Sequence, residues 1–96
     1  MSPIKPKFNP GRVLMTPGAV AAMRRADITP SALLSRHLAG DWGTLDAHDT
    51  NANKRALDSR DPLRILSSYV LSAVDTVWVI TEHDRSVTTL LLPSEY

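Results

Sequence analysis

Thr76-Val77-Trp78-Val79-Ile80-Thr81-Glu82-His83-Asp84-Arg85-Ser86-Val87-Thr88-Thr89-Leu90-Leu91-Leu92 decides the fold class. Two runs of β-branched, leucine and aromatic residues flank one dense polar cluster, the pattern of two strands joined by a hairpin. A third run of the same character, Leu63 to Leu71, precedes them after a short break, so the last third of the chain reads as a three-stranded antiparallel meander. If the hairpin break is Asp84-Arg85, Glu82 faces Val87 and Trp78 faces Leu91. A three-residue loop shifts the register by one and turns every side chain to the other face. The sequence leaves both registers open.

Upstream of the meander the pattern changes to helices. Thr16-Pro17 and Thr29-Pro30 share one signature. The threonine oxygen caps orphan amides, and proline at the first helical position loses no hydrogen bond while its φ is already helical. A first helix is expected over Pro17 to Ala26, burying Val20 and Met23 among small alanines. A second is expected over Pro30 to Ala39, with Leu33, Leu34, His37 and Leu38 on one stripe and Gly40 as its left-handed cap. A third begins near Thr44 to Asp46, with Asp46 and Asp49 at its start and Lys54 and Arg55 towards its end, signs that complement the helix dipole. Its apolar content is thin, which places it on an edge of the core, and Asp58 to Pro62 closes it.

Arg12 to Thr16, bracketed by Gly11 and Pro17, reads as a short strand. Residues 1–11 carry Pro3, Pro6 and Pro10 and read as an extended arm. The expectation is a single α+β domain over residues 12–96. Three short helices pack on one face of a small antiparallel sheet, built from the C-terminal meander plus a short N-terminal strand.

The composition agrees with one soluble domain. The chain has 96 residues, 43% hydrophobic and 22% charged, within the globular range and too short for two cores. Its formal net charge of +1 argues against an acidic nucleic-acid mimic and against a strongly basic non-specific binder. No cysteine is present, which excludes disulfides, thiolate nucleophiles and thiolate metal sites. Uncharged stretches such as Ile65 to Val74 are far short of the roughly 20 apolar residues of a bilayer span. Met1 to Arg12 lacks the apolar segment of a signal peptide, so a cytoplasmic location without membrane attachment is expected.

Candidate chemistry is sparse. His37, Asp41, His48 and Asp49 supply metal-ligand types, but their spacing matches no metal motif, and no metal or cofactor is expected. His37, near a helix C-terminus, is read as a structural donor to a terminal carbonyl. Ser67 and Ser68 lie in no glycine-bracketed elbow, and the glycines at 11, 18, 40 and 43 form neither a phosphate-cradling loop nor a dinucleotide fingerprint. No catalytic residue is assigned, and the chain is read as a non-enzyme. Asp49 and Asn53, one helical turn apart, are read as a hydrogen-bonded pair turned partly inward.

Binding offers more. Trp42 is a large ring in the tight turn Gly40-Asp41-Trp42-Gly43, either plugging a junction or projecting as an interface anchor. The hairpin tip Thr81 to Ser86 is the densest polar group in the chain, and such loops on rigid scaffolds often carry recognition. The candidate partner-binding residues are therefore Trp42, Asp41, Glu82, Asp84 and Arg85. An alternative set for nucleic acid is Lys5, Lys7, Arg12, Arg24 and Arg25, whose ordinary reading is a solvated arm and bases at a helix C-terminus. Neither set fixes an oligomeric state.

Four blocks together carry a resemblance: Met15-Thr16-Pro17-Gly18-Ala19; His37 with Gly40-Asp41-Trp42-Gly43; Arg64-Ile65-Leu66-Ser67-Ser68-Tyr69; and Trp78 through Pro93. Over residues 8–96 the chain resembles a family of small bacterial proteins from plasmids and integrated mobile elements, called plasmid-related proteins. Some members are labelled type I restriction endonuclease subunit M. This chain is too short for a cofactor-binding sheet and has no glycine fingerprint, which removes that label. The chain departs from the family's usual pattern at His83, where alanine is common, and between Asp58 and Asp61. The resemblance implies a setting, the accessory cargo of a mobile element, where counter-defence and maintenance functions are frequent. It implies a non-catalytic protein-interaction accessory, with inhibition of a host defence system as one role. The partner is then an unidentified host or element-encoded protein, and a nucleic-acid-binding accessory of replication or transfer is the alternative.

Overall fold

The computed structural model describes residues 6–58 and 63–96. The elements run β1 (Arg12–Met15), α1 (Pro17–Arg25), α2 (Pro30–Leu38), α3 (Ala47–Leu57), β2 (Ile65–Val70), β3 (Thr76–Thr81) and β4 (Val87–Leu91), followed by a 3-10 turn over Pro93–Glu95. The result is a small α+β fold in which three helices pack against a four-stranded, mostly antiparallel sheet of order β1-β4-β3-β2.

Both threonine–proline signatures work as caps. The side chains of Thr16 and Thr29 accept from Ala19 N at 3.1 Å and Ala32 N at 3.2 Å. At the end of α2, Gly40 takes the left-handed φ of 86°. The third helix starts at Ala47 because Asp46 is its cap, accepting from Asp49 N at 2.8 Å. The hairpin register is the one set by a break at Asp84-Arg85. Trp78 lies opposite Leu91, and Glu82 N donates to Val87 O at 2.9 Å.

The strand β1 pairs with β4 in parallel, which makes the sheet mixed. Its position follows from the arm. Gly11 has φ 65°, and a Cβ there would fall 2.3 Å from the Ser86 carbonyl oxygen, so only glycine lets the chain run this close to the hairpin.

Alternation along the strands divides the core. Val77, Val79, Leu90 and Tyr69 pack against Ala19, Ala22, Met23 and Leu33 of α1 and α2. On the opposite side, Leu66, Ile80 and Leu91 cluster with Leu45 and Trp78. The polar helix α3 lies along β2, as its thin apolar content requires. There the fully buried Asn53 donates Nδ2 to Leu66 O at 2.7 Å and accepts from Leu66 N at 3.0 Å. This corrects the expected Asp49–Asn53 pairing. The buried edge of β2 presents an unpaired peptide group, and an amide side chain matches it donor for acceptor.

Candidate functional site

The Gly40 to Gly43 turn is fixed on three sides. Asp41 N donates to Arg36 O, and the Asp41 carboxylate accepts from Arg36 Nε at 2.7 Å. That guanidinium holds the carboxyl below the usual carboxylate range. Tyr69 donates its hydroxyl to Asp41 O at 2.6 Å, and burial pushes its pKa up to about 12. Ser68 N donates to Trp42 O at 2.9 Å, and Thr44 N donates to Ser68 O at 2.8 Å, so the turn extends the ladder along β2.

Within this frame Trp42 is half-buried. Its ring stacks on Phe8 at 6.5 Å and 27° and meets His37 edge-on at 5.9 Å. Phe8 in turn stands edge-on to His37 at 5.2 Å. The arm is thus docked over its described part: Lys7 N donates to Leu38 O at 2.8 Å, and Phe8 closes over α2.

The hairpin tip is organised by Arg85, which takes a left-handed φ of 60°. Its Nη1 donates to Leu63 O at 2.8 Å, Glu82 O at 3.2 Å and His83 O at 3.1 Å, while Nη2 donates to Ala56 O at 3.0 Å. One planar fork therefore ties the tip to the end of α3 and the start of β2. The same guanidinium stands 6.0 Å from the Phe8 ring centre. Asp84 accepts from Ser86 N and Ser86 Oγ, and these bonds hold its carboxyl below the usual range. Glu82, His83 and Asp84 are exposed around this clamp.

Phe8 thereby joins the two candidate regions. The turn with Trp42 and the tip with Arg85 are separate in sequence, yet one phenyl ring touches both. Sequence reasoning missed Phe8 because it sits in a proline-rich arm whose docking depends on tertiary contacts.

Behind these rings lies a buried polar chain. His37 Nδ1 is 2.6 Å from Ser67 Oγ, and its Nε2 is 2.9 Å from Thr81 Oγ1. Thr81 Oγ1 is 2.6 Å from Thr88 Oγ1, which donates to Pro10 O at 2.7 Å. The expected donation from His37 to a terminal carbonyl is corrected, because its stripe faces the sheet and meets hydroxyls there. Ser67 and His37 are both 0% exposed, so this serine–histidine pair lacks the access a nucleophile needs. Burial lowers the His37 pKa to about 4. Among the described residues no group of three His, Cys, Asp or Glu side chains converges as a metal site.

The basic set is dispersed in its roles. Arg25 is held by Asp75 through Nε at 3.1 Å and Nη2 at 2.9 Å. Arg24 lines a pocket beside Met15, Arg12 opens β1, and the Lys7 stem runs alongside Gly40. Lys5 lies outside the described residues, as does the Ser59 to Pro62 part of the connection after α3.

The fold and site define a small α+β domain with an aromatic patch framed by a constrained turn and a polar hairpin tip. Comparisons with protein-family models, curated proteins and solved structures found no match to the chain. Among the described residues no helix is long and apolar enough to cross a membrane.

Proposed function

We propose that this chain is a non-catalytic protein-interaction domain whose contact surface is the patch formed by Trp42, Phe8 and Arg85, with Asp41, Glu82 and Asp84 as its polar rim. The observation that carries this reading is the single Phe8 ring in contact with both Trp42 and Arg85. It merges an aromatic centre and a charged edge into one surface, the composition that dominates interface energetics. The clamps on Asp41 and Arg85 support it further, because a pre-ordered surface loses less entropy on binding. In the setting the family resemblance implies, the partner is a cytoplasmic host or element-encoded protein, and blocking a defence protein is one such role.

The alternative, nucleic-acid binding through Lys5, Lys7, Arg12, Arg24 and Arg25, is weakened by the Arg25–Asp75 pair, which neutralises one member of the set. Capture from a host lysate followed by mass spectrometry and nuclease treatment separates the two. One dominant, nuclease-resistant protein supports the proposal. Nuclease-sensitive nucleic acid that leaves at moderate salt overturns it in favour of the alternative.

A further inference from the structure

The two edges of the sheet are finished differently. Along β2 the outward groups of Leu66 and Ser68 are bonded: Leu66 to the Asn53 amide, and Ser68 to Trp42 O and Thr44 N. Along β1, Arg12 N and Thr16 N turn inward to Ser86 O at 2.9 Å and Leu90 O at 3.0 Å. Strand alternation then directs the N–H and C=O of Val13 and Met15 away from β4, at the edge of the sheet. Val13, Leu14 and Met15 are 39%, 44% and 44% exposed, and the strand carries neither the lysine, the proline nor the bulge that usually blunts such an edge.

We infer that β1 pairs antiparallel with β1 of a second copy of this chain, across a two-fold axis at Leu14. The register follows from hydrogen-bond parity. Setting Val13 opposite Met15 of the second copy bonds every outward N–H and C=O of both residues, and it places Leu14 opposite Leu14 in the closely spaced non-bonded pair. The ladder ends where this register requires. Gly11 leaves the extended region at φ 65° with its N–H donated to Asn9 Oδ1, and Pro17 has no N–H.

The pairing is self-complementary in polarity as well. Apolar side chains oppose apolar ones throughout, and Arg12 faces Thr16 of the second copy, so the two arginines stay at opposite ends. On the α1 side, the incoming Val13 meets Met15 at the rim of a cavity of about 270 Å³ lined also by Val20, Met23, Ile28 and Pro30. A net charge of +1 opposes the approach only weakly. The product is one continuous sheet with the Asn53-covered β2 edges outermost.

Sedimentation equilibrium of the full chain tests this. The short ladder predicts a dimer forming between about 10 µM and 1 mM, at the small end of specific interfaces. Val13→Pro removes an outward N–H and leaves the β4 pairing intact, so it is expected to weaken association about tenfold or more at an unchanged melting temperature. Should that variant fail to fold, Leu14→Lys and Leu14→Glu serve instead: each alone is monomeric, and their mixture forms a heterodimer. Because the chain has no cysteine, Leu14→Cys is expected to cross-link between copies on mild oxidation about tenfold faster than Val70→Cys, although the β2 site is the more open of the two. A monomer at 1 mM, a dimer indifferent to these changes at 13 and 14, or equal cross-linking rates at 14 and 70 overturns the inference.

Discussion

Thr88 Oγ1 donates to the Pro10 carbonyl, and because a carbonyl can only accept, this bond orients every hydroxyl behind it. With its proton committed, Thr88 must accept from Thr81, so Thr81 must accept from His37 Nε2–H. The imidazole is therefore the Nε2–H tautomer, and Nδ1 accepts from Ser67. The neutral ring is fully used, and protonating Nδ1 would require Ser67 to turn its own proton away.

Stability should accordingly depend on pH through His37. The folded pKa of about 4 lies below the unfolded value near 6.5, so the unfolded chain binds more protons between those limits. Stability then rises with pH across that window, and on the order of 3 kcal/mol is lost as pH falls from about 6.5 to 4. Asp41, Asp75, Asp84 and Glu95, whose carboxyls are lowered by hydrogen bonds, lose their stabilisation further down, as pH falls below the ordinary carboxylate range. Urea unfolding at several pH values checks this. A flat profile from pH 6.5 to 4.5 would contradict the buried neutral histidine.

Asn53→Ala should destabilise by about 2–4 kcal/mol, since it leaves both Leu66 backbone groups buried without partners. Asn53→Asp should also destabilise, because a carboxylate cannot donate to Leu66 O. A change under about 0.5 kcal/mol in chemical denaturation would show that water replaces the amide.

Arg85→Lys should lower stability by about 1–3 kcal/mol, because one ammonium cannot span Ala56 O and Leu63 O as the guanidinium fork does. The melting temperature is the readout, and an unchanged value would make the clamp ornamental.

Trp42→Ala should lower stability by about 1–3 kcal/mol through lost ring contacts with Phe8 and His37. That is less than deleting a fully buried tryptophan, because half-burial makes this ring a plug and a surface at once. Denaturation midpoints distinguish the cases.

Local chemistry was legible in advance. The Thr16 and Thr29 caps, the Gly40 terminus, the edge position of α3 and the meander all follow from neighbouring residues. The parallel β1–β4 pair was not, because strand order is a non-local choice and a four-residue run fits either sheet edge. The roles of Phe8, Asn53 and Arg85 were hidden for a related reason. Each bonds or packs against residues far away in sequence, and Arg85, expected as a partner-binding residue of the tip, also clamps Ala56 O and Leu63 O, which the sequence does not show.

The most direct test of the interaction surface is a binding titration of the purified captured protein against the wild-type chain and a Glu82→Arg, His83→Glu double variant. Both side chains are exposed at the rim, so the fold should be unaffected and its melting temperature unchanged. Reversing the Glu82 charge at the rim should weaken binding about tenfold or more, while Val70→Lys, at the exposed end of β2, should leave it unaltered. Equal affinity of the wild type and the double variant would contradict the assignment of this surface.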